Sequence, residues 1–213
     1  MIRAVGWIGP RWCGALRAGR SSRIQAAPDL ASVDAMAGLL GQTPRQASRM
    51  PGETRLCLCA AHLALEAADW RDANARNAGL IVSGYDGCLE ADQRYFADYV
   101  ANGRSNGLAS VFVYTLPTSA AAEIAIALKL FGPLLHVNAP RRPAAELIRS
   151  AQELVEDGEA PGMLALWSSP REAVCFAVDG AGDDLALPIS GAPEWGVADC
   201  VEEIETIARL RQR

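Results

Sequence analysis

Six cysteines, two histidines and an arginine pair are the residues best suited to chemistry in this chain of 213 residues. Cys13, Cys57, Cys59, Cys88, Cys175 and Cys200 are scattered and form no C-x-x-C pair. Cys57 and Cys59 stand two apart in a segment of helical pattern, so their side chains diverge and do not share a metal. With only His62 and His136 to add, no metal site is expected. The thiols read as reduced core residues rather than as a disulfide framework. His62 falls within an apolar helix and reads as structural, and His136 falls on a short strand where a structural or interface role fits better than catalysis. No G-x-x-x-x-G-K-[ST] loop is present, Gly6-Trp7-Ile8-Gly9 is not G-x-G-x-x-G, and there is no G-x-S-x-G elbow, so no nucleotide and no cofactor is expected. Arg141-Arg142, between Pro140 and Pro143, is the most unusual short stretch. Two guanidiniums at a helix start oppose the local dipole, and are tolerated if solvated or if they meet an anion or a partner's carboxylate.

The elements that would position these residues alternate between strand and helix. Residues 2–8 read as a buried strand closed by Gly9-Pro10, and 11–30, rich in Arg, Gly and Ser, as loop. A short helix at 32–40 ends at Gly41. The spacing of Leu56, Ala60, Leu63, Ala67 and Trp70 predicts a helix over 51–70. Residues 78–83 form a buried strand, 88–101 an amphipathic helix with Tyr95, Phe96 and Tyr99, and 110–114 an extended segment. Residues 118–130 form a helix so apolar that it calls for cover on both sides, from stacked layers or at an interface. A strand at 134–137 and a helix at 142–157, closed by Gly158, follow. Strands at 163–167 and 173–178 flank Ser168-Ser169-Pro170 as a hairpin. A further strand at 185–189 and a terminal helix at 199–213 complete the chain. The pattern predicts one α/β domain over 1–213, a mixed sheet with helices on both faces in an α-β-α arrangement.

Composition narrows the function classes. Half the residues are hydrophobic and 21% are charged, as in a globular protein with a sizeable core. The formal charge is −5, unevenly spread: residues 1–77 carry 10 Arg and 6 acids, and the remainder is acidic. An acidic chain does not suggest nucleic acid as a partner. Its basic first third could face an acidic partner such as an acyl carrier protein, or could simply be solvated. No secretory signal is visible and no run reaches the ~20 apolar residues of a membrane span; a cytoplasmic protein is expected.

Residues 111–158 resemble the central region of β-ketoacyl synthases, in the thiolase-like superfamily. An extended segment, Phe112-Val113-Tyr114-Thr115-Leu116-Pro117, leads into the small-residue stretch Thr118-Ser119-Ala120-Ala121-Ala122-Glu123-Ile124-Ala125-Ile126. Gly132-Pro133, the strand at 134–137 and a helix carrying Ala151 and Gly158 follow in the family's order. Weaker similarity extends over 1–110 and 159–170, including the opening strand 2–10. The resemblance implies a thiolase-like half. It also implies that the family's nucleophilic cysteine, eight residues after Pro133, is here Arg141, which cannot take an acyl group. The family's second half, with its two catalytic histidines, has no counterpart in the sequence, and neither His62 nor His136 matches them. Thr118 stands where the family usually has asparagine.

The resemblance therefore implies a non-catalytic, ketosynthase-like protein without catalytic residues of its own. The model would be the chain-length factors and shortened ketosynthase-like proteins of polyketide, aryl polyene and fatty-acyl biosynthesis. The family dimerises through the strand before the nucleophile, here Leu134, Leu135, His136 and Val137, as a homodimer or with a ketosynthase. Val111, Phe112 and Thr115 would then reach an acyl pocket, their own or the partner's, or else pack in the core. Two alternatives stay open: a stand-alone homodimer that binds an acyl chain or carrier protein, and a thioester hydrolase using Ser119 or Cys88.

Overall fold

Along residues 173–178 the side chains run Ala, Val, Cys, Phe, Ala, Val, so small and large groups point to opposite faces of a strand. That alternation sorts the molecule into layers. The computed structural model describes residues 1–20, 22–70, 77–84, 88–105, 107–137, 143–180, 184–187 and 196–212. Its strands are β1 (Ile2–Ile8), β2 (Trp12–Arg17), β3 (Arg23–Ala26), β4 (Gly79–Gly84), β5 (Leu134–His136), β6 (Gly162–Ser169) and β7 (Glu172–Asp179). Its helices are α1 (Val33–Leu40), α2 (Gly52–Ala68), α3 (Leu89–Ala101), α4 (Ala109–Phe112), α5 (Ser119–Leu128), α6 (Pro143–Glu156) and α7 (Val197–Leu210), with a 3-10 turn at Val113–Thr115.

The strands form one mixed sheet in the order β3-β2-β1-β7-β6-β4-β5. β4 runs parallel to both β5 and β6, and the remaining pairs are antiparallel. On one face the small residues Ala4, Ala173, Cys175 and Ala177 lie in the core that α1, α2 and α5 close. Gly6 belongs to this face too. A Cβ there would stand 2.4 Å from the Ala64 nitrogen and 2.5 Å from the Ala60 oxygen, so glycine is what lets the α2 backbone lie directly on β1. On the other face the large residues Val5, Trp7, Val174 and Phe176 meet α6 and α7. Both helices present buried apolar residues to the sheet and charged ones, such as Glu146, Arg149, Glu202 and Arg209, outward. The three layers predicted from the pattern are thus present.

Local chemistry fixes the ends. The Ser32 hydroxyl accepts from the Ala35 N–H, and Gly41 takes the left-handed conformation that stops α1. The Asp199 carboxylate accepts the Gly196 N–H at 2.7 Å, opening α7, while the Arg209 guanidinium lies 4.9 Å over the Trp12 ring near its other end. At the end of β7, Asp179 accepts from Arg3 at 3.0 Å and from the Trp70 indole at 3.3 Å.

Three expectations are corrected. Residues 11–30 are not loop: β2 and β3 form a hairpin there. Gly14 in β2 faces the Trp7 ring, where a Cβ would come within 2.8 Å, so a residue that looks like a loop former is in fact a packing device. Residues 110–114 are not extended. Their β-branched and aromatic content favours strand, but the turn closes on itself: Val111 and Phe112 donate to the Leu108 carbonyl, Thr115 to Phe112, and Ser119 to Val113. Residues 184–187 form no strand. Leu185 instead docks on β1, its N–H donating to the Ile2 carbonyl at 2.7 Å, and 188–189 lie outside the described residues.

Candidate functional site

β5 is the last strand of the sheet. Leu80, Ile81 and Val82 of β4 pair with Leu134, Leu135 and His136, the Val137 N–H donates to the Val82 carbonyl, and no described residue pairs with the outer side. An unprotected strand edge is a template for pairing with another chain. The surroundings of this edge are apolar. α5 touches both β5 and the 3-10 turn. It buries Ala121 and Ile124 toward α2, yet leaves Ile126 72% exposed. Phe131 is 75% exposed, and Phe112, Val113, Leu116, Leu134 and Leu135 are exposed as well. Of the two covers foreseen for this helix, stacked layers account for most of it: only Ile126 is exposed, and it lies beside Pro44, Gln46 and Met50 rather than on β5.

Of the residues foreseen as pocket contacts, Val111 is buried, whereas Phe112 is exposed, its ring tilted against that of Tyr95 on α3 at 5.5 Å between centroids. The Thr115 hydroxyl donates to the Phe112 carbonyl at 2.7 Å. Arg141, which the resemblance implies stands in the family's nucleophile position, lies outside the described residues, as does Arg142.

Beneath the carboxyl-terminal ends of β4, β5 and β6 is a small pocket of about 40 Å³, lined by Glu53, Cys57, Cys88, Leu116, His136 and Ser168. It has room for a water or two but not for an acyl chain. The Ser168 hydroxyl donates to the Glu53 carboxylate at 2.7 Å. The Cys88 thiol donates to the Thr115 carbonyl at 2.8 Å and lies 3.4 Å from the Asp92 carboxylate. Burial first, then Asp92, raises its pKa. Burial likewise pushes Cys57, Cys59 and Cys200 up to about 12 and raises Cys13 and Cys175. Every thiol is thus held away from the thiolate that nucleophilic catalysis needs. The Ser119 hydroxyl is bound to the Val113 carbonyl and has no imidazole partner among the hydrogen bonds described.

The two imidazoles are shifted the other way. Burial lowers the pKa of His136 below 6.5, and lowers that of His62 as well, although Glu66 at 3.6 Å opposes it there. Because both folded values lie below the unfolded one, the unfolded chain binds more protons in acid. Their contribution to stability is complete above about 6.5 and declines as pH falls through that value. Thermal unfolding should therefore drop in temperature from about pH 7.5 to about pH 6, and His62→Gln should flatten the decline. Glu172 and Glu205, raised from 4.5 by burial, act in the opposite sense at lower pH.

The layered sheet with its parallel strand ends defines a thiolase-like α/β fold. The model of the β-ketoacyl synthase N-terminal domain matches residues 17–168, and the chain belongs to that family. Solved structures agree in fold. The ishigamide ketosynthase/chain length factor aligns with a TM-score of 0.61 at 19% identity, over 84% of this chain. The chain spans 62% of that neighbour's length. The ketosynthase ApeO in complex with its chain length factor ApeC, from Xenorhabdus doucetiae, aligns at 0.55 and 13% identity, over 85% of this chain and 79% of the other. A β-ketoacyl synthase from Burkholderia phymatum STM815 aligns at 0.57 and 13% identity, over 84% and 59%. No curated protein matches the sequence. No single helix among the described residues is long and apolar enough to cross a membrane.

Proposed function

We propose that the chain is a non-catalytic, ketosynthase-like subunit that pairs through β5 with an active β-ketoacyl synthase in the cytoplasm, in the manner of a chain length factor. The pathway would be polyketide, aryl polyene or fatty-acyl biosynthesis. The observation that carries this reading is the combination of an open β5 edge with the exposed apolar residues Phe131, Leu134 and Leu135 on and just before it. A partner strand would satisfy the edge, and its own side chains would cover Phe131 and Leu134. Ketosynthase and chain length factor occur together in one of the similar structures, which supports a heteromeric pairing of this kind. Arginine at position 141, together with six thiols all raised in pKa, gives this subunit no nucleophile for condensation.

The test is co-expression with a ketosynthase and its carrier protein from the same gene neighbourhood. A complex should co-purify, and Phe112→Trp should change the length of its products. The reading fails if no ketosynthase co-purifies and none changes its product. A stable dimer of the chain with itself, indifferent to ketosynthases, would replace it by the homodimer reading.

A further inference from the structure

A second, larger hollow opens beside the carboxyl-terminal ends of β1 and β6, away from Leu134 and Leu135. Its volume is about 860 Å³, within the range of small-molecule sites. Four arginines line it, Arg49, Arg55, Arg94 and Arg171, against two acids, Asp29 and Glu90. The wall is therefore formally positive in a chain whose total is −5. Each arginine comes from a different place: the approach to α2, α2 itself, α3 and the β6–β7 turn. The fold thus gathers charge that the sequence keeps apart. Among the described residues no carboxylate lies within ion-pair distance of Arg49, Arg94 or Arg171.

Arg55 is the fixed member. Its Nη1 donates to the carbonyls of Leu30 at 2.9 Å and Ala31 at 2.8 Å, while its Nε is buried with no hydrogen-bond partner among the described residues. A guanidinium held by two carbonyls and keeping a spare donor is an incomplete hydrogen-bond set. Ile8, Met50, Leu56 and Val111 add apolar surface to the same lining. Guanidinium groups match the geometry of phosphate and carboxylate oxygens, and apolar surface favours a ligand with a greasy body.

We propose that this hollow binds a small amphipathic anion, with its oxyanion among the arginines and its apolar part on Met50, Leu56 and Val111. None of the residues that line it belongs to β5, and the proposal does not depend on the pairing described above.

Calorimetric titration of the full chain tests it, with decyl phosphate and decanoate as probes below their micelle concentrations, and decanol and inorganic phosphate as controls. At least one of the anionic probes should bind saturably, one per chain, with the better of the two telling phosphate from carboxylate. Arg94→Gln with Arg171→Gln should weaken that binding by about tenfold or more, without changing the melting temperature, since both side chains are exposed. Added salt should weaken it too. The proposal is overturned if neither anionic probe saturates, if the double variant binds as tightly as the parent, or if decanol or inorganic phosphate alone binds as well as the amphiphiles. Variants of the β5 edge should leave the titration unchanged, so failure here and failure of the pairing are read separately.

Discussion

Phe131→Asp combined with Leu134→Asp should abolish partner binding while leaving the chain folded. Phe131 is 75% exposed and Leu134 43% exposed, and neither belongs to the two buried clusters of the free subunit. In a closed interface the balance reverses. Each apolar side chain forgoes part of the about 1.5–3 kcal/mol that full burial brings, and each carboxylate must also shed water without a partner. Two such losses together correspond to a drop in affinity of about a hundredfold or more. Sedimentation of the double variant mixed with its ketosynthase should show separate species where the parent shows a complex, at an unchanged melting temperature. Undiminished binding would remove β5 from the interface.

Gly132→Val should damage the same edge from within. A Cβ at Gly132 would stand 2.6 Å from the Ala78 carbonyl carbon and the Asn77 oxygen, both backbone atoms that cannot swing aside. The Gly132 N–H donates to Ala78 at 3.1 Å, and the Leu80 N–H to Pro133 at 2.8 Å. These two bonds moor the start of β5 to β4. A valine forces them apart at a cost of about 1–3 kcal/mol, which lowers the melting temperature by about 2–4 °C for each kcal/mol in a chain of this size. Partner affinity should fall further than stability does, because the displaced strand is the one the partner reads. Equal and small losses in both would mean that β5 is not the point of attachment.

The sequence shows some elements more openly than others. β1, α2, β4, α6 and the β6–β7 hairpin were legible because their apolar period was long and their ends were marked by Gly, Pro or Ser. β2 was hidden because four successive residues, Cys13 to Leu16, are all buried, which erases alternation, and because Gly14 serves the Trp7 ring rather than a turn. α4 was hidden because Val111 and Phe112 favour strand, while hydrogen bonds within the turn decide otherwise. The β5 edge was reached through a family resemblance. The exposure of Ile126 was legible only as an excess of apolar residues. The arginine-lined hollow had no sequence signal, because residues 49, 55, 94 and 171 converge only through the packing of α2 and α3 beside the β6–β7 turn.

The place of β1 in the strand order has a consequence for synthesis. β1 lies between β2 and β7, with Val5 beside Phe176 about 170 residues later in the chain. The hairpins β1–β2 and β2–β3 can close as soon as they leave the ribosome, but one flank of β1 stays vacant until β7 emerges. At about 5–20 residues per second, that wait lasts on the order of ten to thirty seconds. During translation, therefore, β1 waits with one side unpaired while every element between β2 and β7 is made, and the centre of the sheet closes only when β7 arrives.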